Sequence, residues 1–340
     1  MRSWPHDLGK KDSVSRNCLY IVLQSTMSML QLKLLAHNRN DYLTDALYQQ
    51  CTTMRKQKDI QWDVSIVNDV NVADANQSNV VYVVSFPQRV DWSKWPSVKR
   101  ILFQVEQFPH GFIYCREWFW RSFVSPHVVG IWDYTEANLL HYPPLLKPLV
   151  CIVPFPPVLN QAKILPPLDP PITGKTDVLF YGHRNKRRIA IMKMLAIYFA
   201  PLGIRVRYVY NVYGHALQPH IRHANVVLNL HYFSRDISYL ETYRLNELLA
   251  HRVAIVSEKP SIVDQSSMKR YNASGIEFVD SIRDDVHTDH VGLMRMAVII
   301  EHLVREPWRR QLAIRKGKRF VTNTANEFSR TIRSGLERIR

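Results

Sequence analysis

Asp177–Arg188 reads DVLFYGHRNKRR, and Asn225–Glu258 reads NVVLNLHYFSRDISYLETYRLNELLAHRVAIVSE. Each begins with a short apolar run rich in β-branched and aromatic residues, the composition of a strand buried on both faces. The first run stops at Gly182 and a burst of cations, and RRIAIMKMLAIYFAPLG then has helical spacing up to Gly203. The second run feeds a helix whose first turns carry Glu241, Arg244 and Glu247. Cations and carboxylates are thereby brought to the carboxyl ends of neighbouring strands, where open α/β sheets bind ligands. The arrangement suits a ligand with phosphates at one end and hydroxyls at the other.

The alternation continues in both directions. IRVRYVYNVYG, VAIVSE and IEFVD predict further strands, and from about Asp284 the pattern is helical. Upstream, CLYIVLQ, DVSIVND, NVVYVVSF, RILFQVE, VVGIWDY and LVCIVPF predict strands, while YLTDALYQQCTTMRK and TEANLLHY have helical spacing. Cys18 to Leu35 is fairly apolar, but Gln24, Ser25, Ser28, Gln31 and Lys33 interrupt it. A membrane span needs about 20 mostly apolar residues, so this segment predicts a strand followed by an amphipathic helix. Strands alternating with helices imply βαβ units and parallel sheets. Pro154–Pro171, PFPPVLNQAKILPPLDPP, breaks every periodic pattern and reads as a stiff linker. The chain therefore divides into a polar tail (1–16), a first α/β half (17–153), the linker (154–175), a second α/β half (176–320) and a C-terminal helix (321–340) that packs back on the first half. A cleft between two such halves is a common ligand site.

With 340 residues the chain is long enough for two cores. Its net charge of +16 favours an anionic partner without choosing among nucleotides, nucleic acid and an acidic membrane. Cys18, Cys51, Cys115 and Cys151 are far apart, which argues against a zinc ribbon or a disulfide-dense scaffold. The first seventeen residues lack a signal-peptide apolar core, so the expected location is cytoplasmic.

At Tyr181–Arg188, Gly182 allows a tight turn after the strand. Arg184 or Arg187 could grip a phosphate bidentately beside the next helix N-terminus, with His183 in the same turn. A solvated basic turn is the bland alternative, but cations in a first helical turn oppose the macrodipole, which favours a bound anion. Ser238 and Glu241 have the spacing of a capping box. Glu241, Arg244 and Glu247 are also helical neighbours, which a surface ion-pair ladder would explain equally. The apolar strand before them places that helix at the rim of a sheet centre instead.

The block from Asp177 to Glu258 resembles the donor half of GT-B glycosyltransferases, and SYLETYRLNELLAHRVAIVSE is similar to the fucosyltransferase-type donor motif, in which an acid and a base follow a tyrosine, here Tyr239. The resemblance implies two Rossmann-like domains facing a cleft, with a nucleotide-diphosphate sugar as donor and a glycan or other hydroxyl as acceptor. It further implies that Arg244 neutralises the diphosphate and that one of Glu241 and Glu247 binds ribose while the other reads the sugar. The two glutamates are six residues apart, shorter than the E-x7-E of many retaining enzymes, which leaves both stereochemical outcomes open.

RILFQVEQFP and VVGIWDYTEANLLHY resemble acceptor-side segments of the same group. Glu106 and Asp133, at strand ends, and His110 are the candidate general bases. An Asx turn or helix cap is the equal alternative for Asp133. The aromatic run Tyr114–Phe123 reads as a core helix before it reads as a sugar platform. No Asp-x-Asp motif is present, and the HTDH at 287–290 lacks a spaced partner, so no metal and no other cofactor is expected. The basic run Arg305–Arg319 reads as a solvated helix face, with contact to a membrane surface the sharper alternative. Two other readings stand beside the enzyme: a basic nucleic-acid-binding protein, for which no recognition motif is present, and an inactive glycosyltransferase-like module that only binds partners.

Overall fold

The structure, a computed structural model, describes residues 29–35, 41–56, 62–85, 95, 97–105, 108, 120, 123–153, 176–212, 216–232, 238–286 and 288–337. The predicted strand CLYIVLQ and the Pro-rich linker lie outside them.

The first sheet is built from β1 (Leu30–Leu35), β2 (Trp62–Val67), β3 (Val80–Ser85), β4 (Arg100–Gln104), β5 (Val128–Asp133) and β6 (Val150–Ile152), with helix α1 (Asp41–Lys56) between β1 and β2. All its strands are parallel, in the order β2-β1-β3-β4-β5-β6. Both faces are covered, so central strands read as unbroken apolar runs: all of β3 is buried.

Two expectations fail here. Leu30–Leu35 is a strand, not the amphipathic helix expected after CLYIVLQ. Its LQLKLL alternates with a period of two, burying Leu32 and Leu34 between β2 and β3. Lys33, opposite Tyr82 in the register, reaches Asp74 at 2.6 Å, and the Tyr82 hydroxyl donates to the same carboxylate. TEANLLHY, expected as an α-helix, forms a 3₁₀ turn over Glu136–Leu140. Thr135 caps it, and Asn138 turns inward to Asp133, which holds the segment in a tight local turn.

The second sheet contains β7 (Thr176–Tyr181), β8 (Val206–Val209), β9 (Ala224–Asn229), β10 (Ala254–Glu258) and β11 (Glu277–Val279). These are parallel too, in the order β11-β10-β9-β7-β8. Its helices are α2 (Lys186–Phe199), α3 (Gln218–Arg222), α4 (Thr242–Ala250), α5 (Gln265–Tyr271), α6 (His290–Arg305) and α7 (Pro307–Glu337). The chain leaves β7 for β8 on one side and returns through β9 on the other. That reversal opens a crevice at the carboxyl ends of β7 and β9.

Helix α7 ties the two halves together. Phe320 and Val321 belong to the core beneath α4, whereas Phe328, Ile332 and Leu336 belong to the core of the first sheet. Gly317 and Gly335 let it approach closely. A Cβ at Gly317 would lie 2.9 Å from Leu249 Cδ2, and one at Gly335 would lie 3.1 Å from Trp132 Nε1.

Candidate functional site

The crevice at the ends of β7 and β9 is lined by an arginine pair around one carboxylate. Gly182, at φ 143°, turns the chain out of β7. A Cβ there would crowd Arg244 Nη2 at 3.0 Å, so glycine is what lets that guanidinium approach this turn, while Arg188 Nη1 at 3.5 Å would be in ordinary contact. Asn185 caps α2: its Oδ1 accepts from the Arg188 amide at 2.8 Å, and its Nδ2 donates to the Tyr232 carbonyl at 2.7 Å.

Arg188 is buried and donates to the carbonyls of Leu230, His231 and His183. It also meets Glu241 Oε1 at 3.0 Å. Arg244 takes the other oxygen, Oε2, at 2.7 Å, and donates to Asn229 Oδ1 at 3.2 Å. Its guanidinium stands 5.1 Å from the Tyr181 ring centroid. Burial pulls Arg188 down to about 10, with Glu241 acting against it. Burial alone would raise Glu241, but Arg244 and Arg188 outweigh it and hold the carboxyl below its ordinary range. The predicted capping box does not form. Glu241 occupies the N-cap position of α4 and makes no side-chain cap, because its carboxylate is turned to the two arginines.

Glu247, one turn further along α4, accepts from the Tyr181 hydroxyl at 3.1 Å. Burial pushes it up to about 7, against the pull of Tyr181 and Arg244. The folded pKa lies above the unfolded value, so the folded state binds the extra proton between about 4.5 and 7 and is destabilised as pH rises through that window. Glu247→Gln keeps an acceptor for Tyr181 and should flatten this slope, gaining about 3 kcal/mol on the native protein by pH 8 relative to pH 4. Urea titrations of both proteins across this range read it directly. Parallel curves would place the titration elsewhere.

Other predicted residues are placed differently. Arg187, expected to grip phosphate, faces inward. It forms a buried pair with Glu258 and donates to the carbonyls of Ile282 (3.1 Å) and His231 (3.0 Å). Its donors serve the framework and not the crevice. Arg184 and His183 are exposed: the Arg184 guanidinium lies 4.2 Å from the Tyr210 ring centroid, and His183 stands 5.9 Å from Tyr232. Tyr239 points to the other half, its hydroxyl 2.9 Å from His141 Nε2. Thr135 Oγ1 donates to Asp264 at 2.9 Å in the same contact between the halves.

Asp133, a candidate general base by sequence, does not face the crevice surface. It is wholly buried and accepts from the Thr135 amide (3.0 Å), Asn138 Nδ2 (3.0 Å) and the Tyr142 hydroxyl (2.8 Å). Burial raises it to about 8, but no acceptor hydroxyl can reach it. The Asx-turn reading is the one that holds. Glu106 and His110 lie outside the described residues. Asp289 of the HTDH segment caps α6 through the Gly292 amide, and His287 lies outside the described residues. Among the described residues no three His, Cys, Asp or Glu are grouped to hold a metal.

Arg188 is the central residue that the sequence reading missed. Its signal was present: Arg187 and Arg188 share the buried side of α2 with Ile191, Met192, Leu195 and Phe199, so helical spacing turns both arginines inward. His231 was missed as well. It is wholly buried beside Glu258, with Nε2 on the Glu258 carbonyl at 2.9 Å and no partner at Nδ1.

No protein-family model and no curated protein matches the chain. Solved structures do. Alr3699/HepE of Anabaena in complex with UDP-glucose superposes with a TM-score of 0.53 at 9% identity, over 91% of this chain and 100% of that one. The UDP-forming α,α-trehalose-phosphate synthase of Burkholderia xenovorans gives 0.51 at 12%, over 88% and 80%. An α-glucosyltransferase in complex with UDP-glucose and DNA containing an abasic site gives 0.50 at 11%, over 86% and 94%. At these identities the likeness is one of fold, and the chain has two Rossmann-like α/β domains facing a cleft, the GT-B architecture.

Proposed function

We propose that the chain is a glycosyltransferase that takes a sugar from a nucleotide-diphosphate donor held by the second domain and passes it to an acceptor hydroxyl, a glycan's among others, presented by the first. The observation that carries this reading is the Arg188–Glu241–Arg244 cluster at the reversal point between β7 and β9, with Gly182 beside it. Two guanidinium groups around a carboxylate, at the mouth of a sheet, can re-partner with a diphosphate and stabilise the charge that develops on it as the glycosidic bond breaks. Glu247 and Glu241 are then the groups available for ribose and sugar hydroxyls. With arginines meeting the leaving-group charge, the transfer needs no divalent metal. Two of the structural neighbours were solved with UDP-glucose, while SYLETYRLNELL resembles the fucosyltransferase-type motif, so more than one base belongs in the first screen. The expected place of this reaction is the cytoplasm, and among the described residues no helix is long and apolar enough to cross a membrane.

The test is thermal shift against UDP, GDP, CMP and dTDP, each with magnesium and with EDTA. A ligand at 100 times its dissociation constant adds about 2.7 kcal/mol, a readily measured shift. The expected result is one selective nucleotide diphosphate whose effect survives EDTA. A response that vanishes with EDTA would refute metal independence, and no response to any of the four would refute donor binding.

A further inference from the structure

Helix α7 has two faces with different duties. Ala313, Gly317, Phe320 and Val321 are its buried side. Directly opposite, Trp308, Leu312, Arg315 and Arg319 follow at helical spacing as one exposed stripe, with Lys316 on its flank. Trp308 is 65% exposed and Leu312 39% exposed, at the outer end of the helix, where no core covers them. The stretch Pro307–Asn326 holds six Lys and Arg residues and no Asp or Glu. One of them, Arg310, is occupied in capping α6, donating to the carbonyls of Leu303 and Val304 at 3.0 Å. No ion pair among the described residues engages Arg315, Lys316 or Arg319. Helix α6, which packs beside it, carries its own exposed apolar stripe in Val291, Met294 and Val298.

From this we infer that the outer face of α7 is a docking surface for anionic phospholipid. A solvated helix face would intersperse carboxylates with its cations, and this one has none over five turns. Unbalanced cations draw the face to a negative surface, each adding roughly 1 kcal/mol near the headgroups. An exposed tryptophan beside a leucine then supplies apolar area that a headgroup layer removes from water, the usual composition of an interfacial helix. Leu312 decides between a lipid surface and nucleic acid, since a sugar–phosphate backbone offers it nothing to bury against.

The experiment is co-sedimentation of the full chain with phosphatidylcholine vesicles, with and without phosphatidylglycerol, at about 0.15 M salt. The wild-type protein should pellet with the anionic vesicles alone. Arg315→Gln combined with Lys316→Gln and Arg319→Gln should weaken binding tenfold or more. Trp308→Ala and Leu312→Ser should each weaken it several-fold, with unchanged melting, because all five residues are exposed. If the triple variant folds poorly, the two single variants carry the same reading. Failure of the wild-type protein to pellet, or equal pelleting by every variant, overturns the proposal. So does tight binding of a single-stranded oligonucleotide that competes with vesicles and is indifferent to Leu312→Ser, which would make the face a nucleic-acid site.

Discussion

Arg244→Ala should lower affinity for the nucleotide donor roughly a hundredfold or more and lower turnover with it, while the protein melts within a few degrees of wild type. The asymmetry follows from the way the two arginines are held. Arg188 carries three backbone carbonyls as well as Glu241, so its removal leaves buried acceptors unsatisfied and the fold suffers along with the site. Among the described residues the polar partners of Arg244 are Glu241 and Asn229. Without it Glu241 still has Arg188, and no buried charge is left without a partner. Its guanidinium is therefore the part of the cluster that a diphosphate can recruit at low cost to the framework. Arg244→Lys is the sharper control, because a point charge cannot bridge a carboxylate and a phosphate as a planar fork does. Calorimetric titration of both variants with the nucleotide selected in the screen reads the effect. Wild-type affinity in Arg244→Ala would remove the cluster from the donor site altogether.

Much of this cluster was legible because it is local. Gly182 directly follows β7, and Glu241, Arg244 and Glu247 belong to the start of the helix between β9 and β10, strands that composition marks plainly, so strand-to-helix alternation places them at the same edge of one sheet. Three things were hidden. The strand Leu30–Leu35 was hidden because LQLKLL fits a short helical stripe nearly as well as a half-buried strand, and only the neighbours in the sheet decide. The duty of Asp133 was hidden because a carboxylate at a strand end looks the same from sequence whether it faces a cleft or is closed over by Tyr142 and Asn138. The division of labour among Arg184, Arg187 and Arg188 was hidden for a different reason. Arg184 stands in the turn before α2 and stays exposed, Arg187 and Arg188 enter its buried side toward different partners, and the carboxylate that claims Arg187 is 71 residues away.

That distant partner sets the largest stability effect. Glu258 ends β10 wholly buried and accepts from Arg187, from the His231 amide at 2.7 Å and from the Ile282 amide at 2.8 Å. It thereby joins the start of α2, the end of β9 and the segment after β11, the three elements that frame the crevice. Glu258→Ala strands a buried guanidinium and two amides, and should cost about 3–5 kcal/mol in a denaturant titration. Arg187→Met should cost a similar amount, for it leaves the buried carboxylate with its two amide donors but no counter-charge. The double variant Arg187→Met with Glu258→Leu should lose much less than the sum, because neither charge is then left behind. Through all three, donor affinity measured on the protein that remains folded should stay near wild type, in contrast to Arg244→Ala. A hundredfold loss of affinity in a stably folded Arg187→Met protein would show instead that Arg187 leaves Glu258 to meet the phosphate, returning it to the ligand site that its sequence position first suggested.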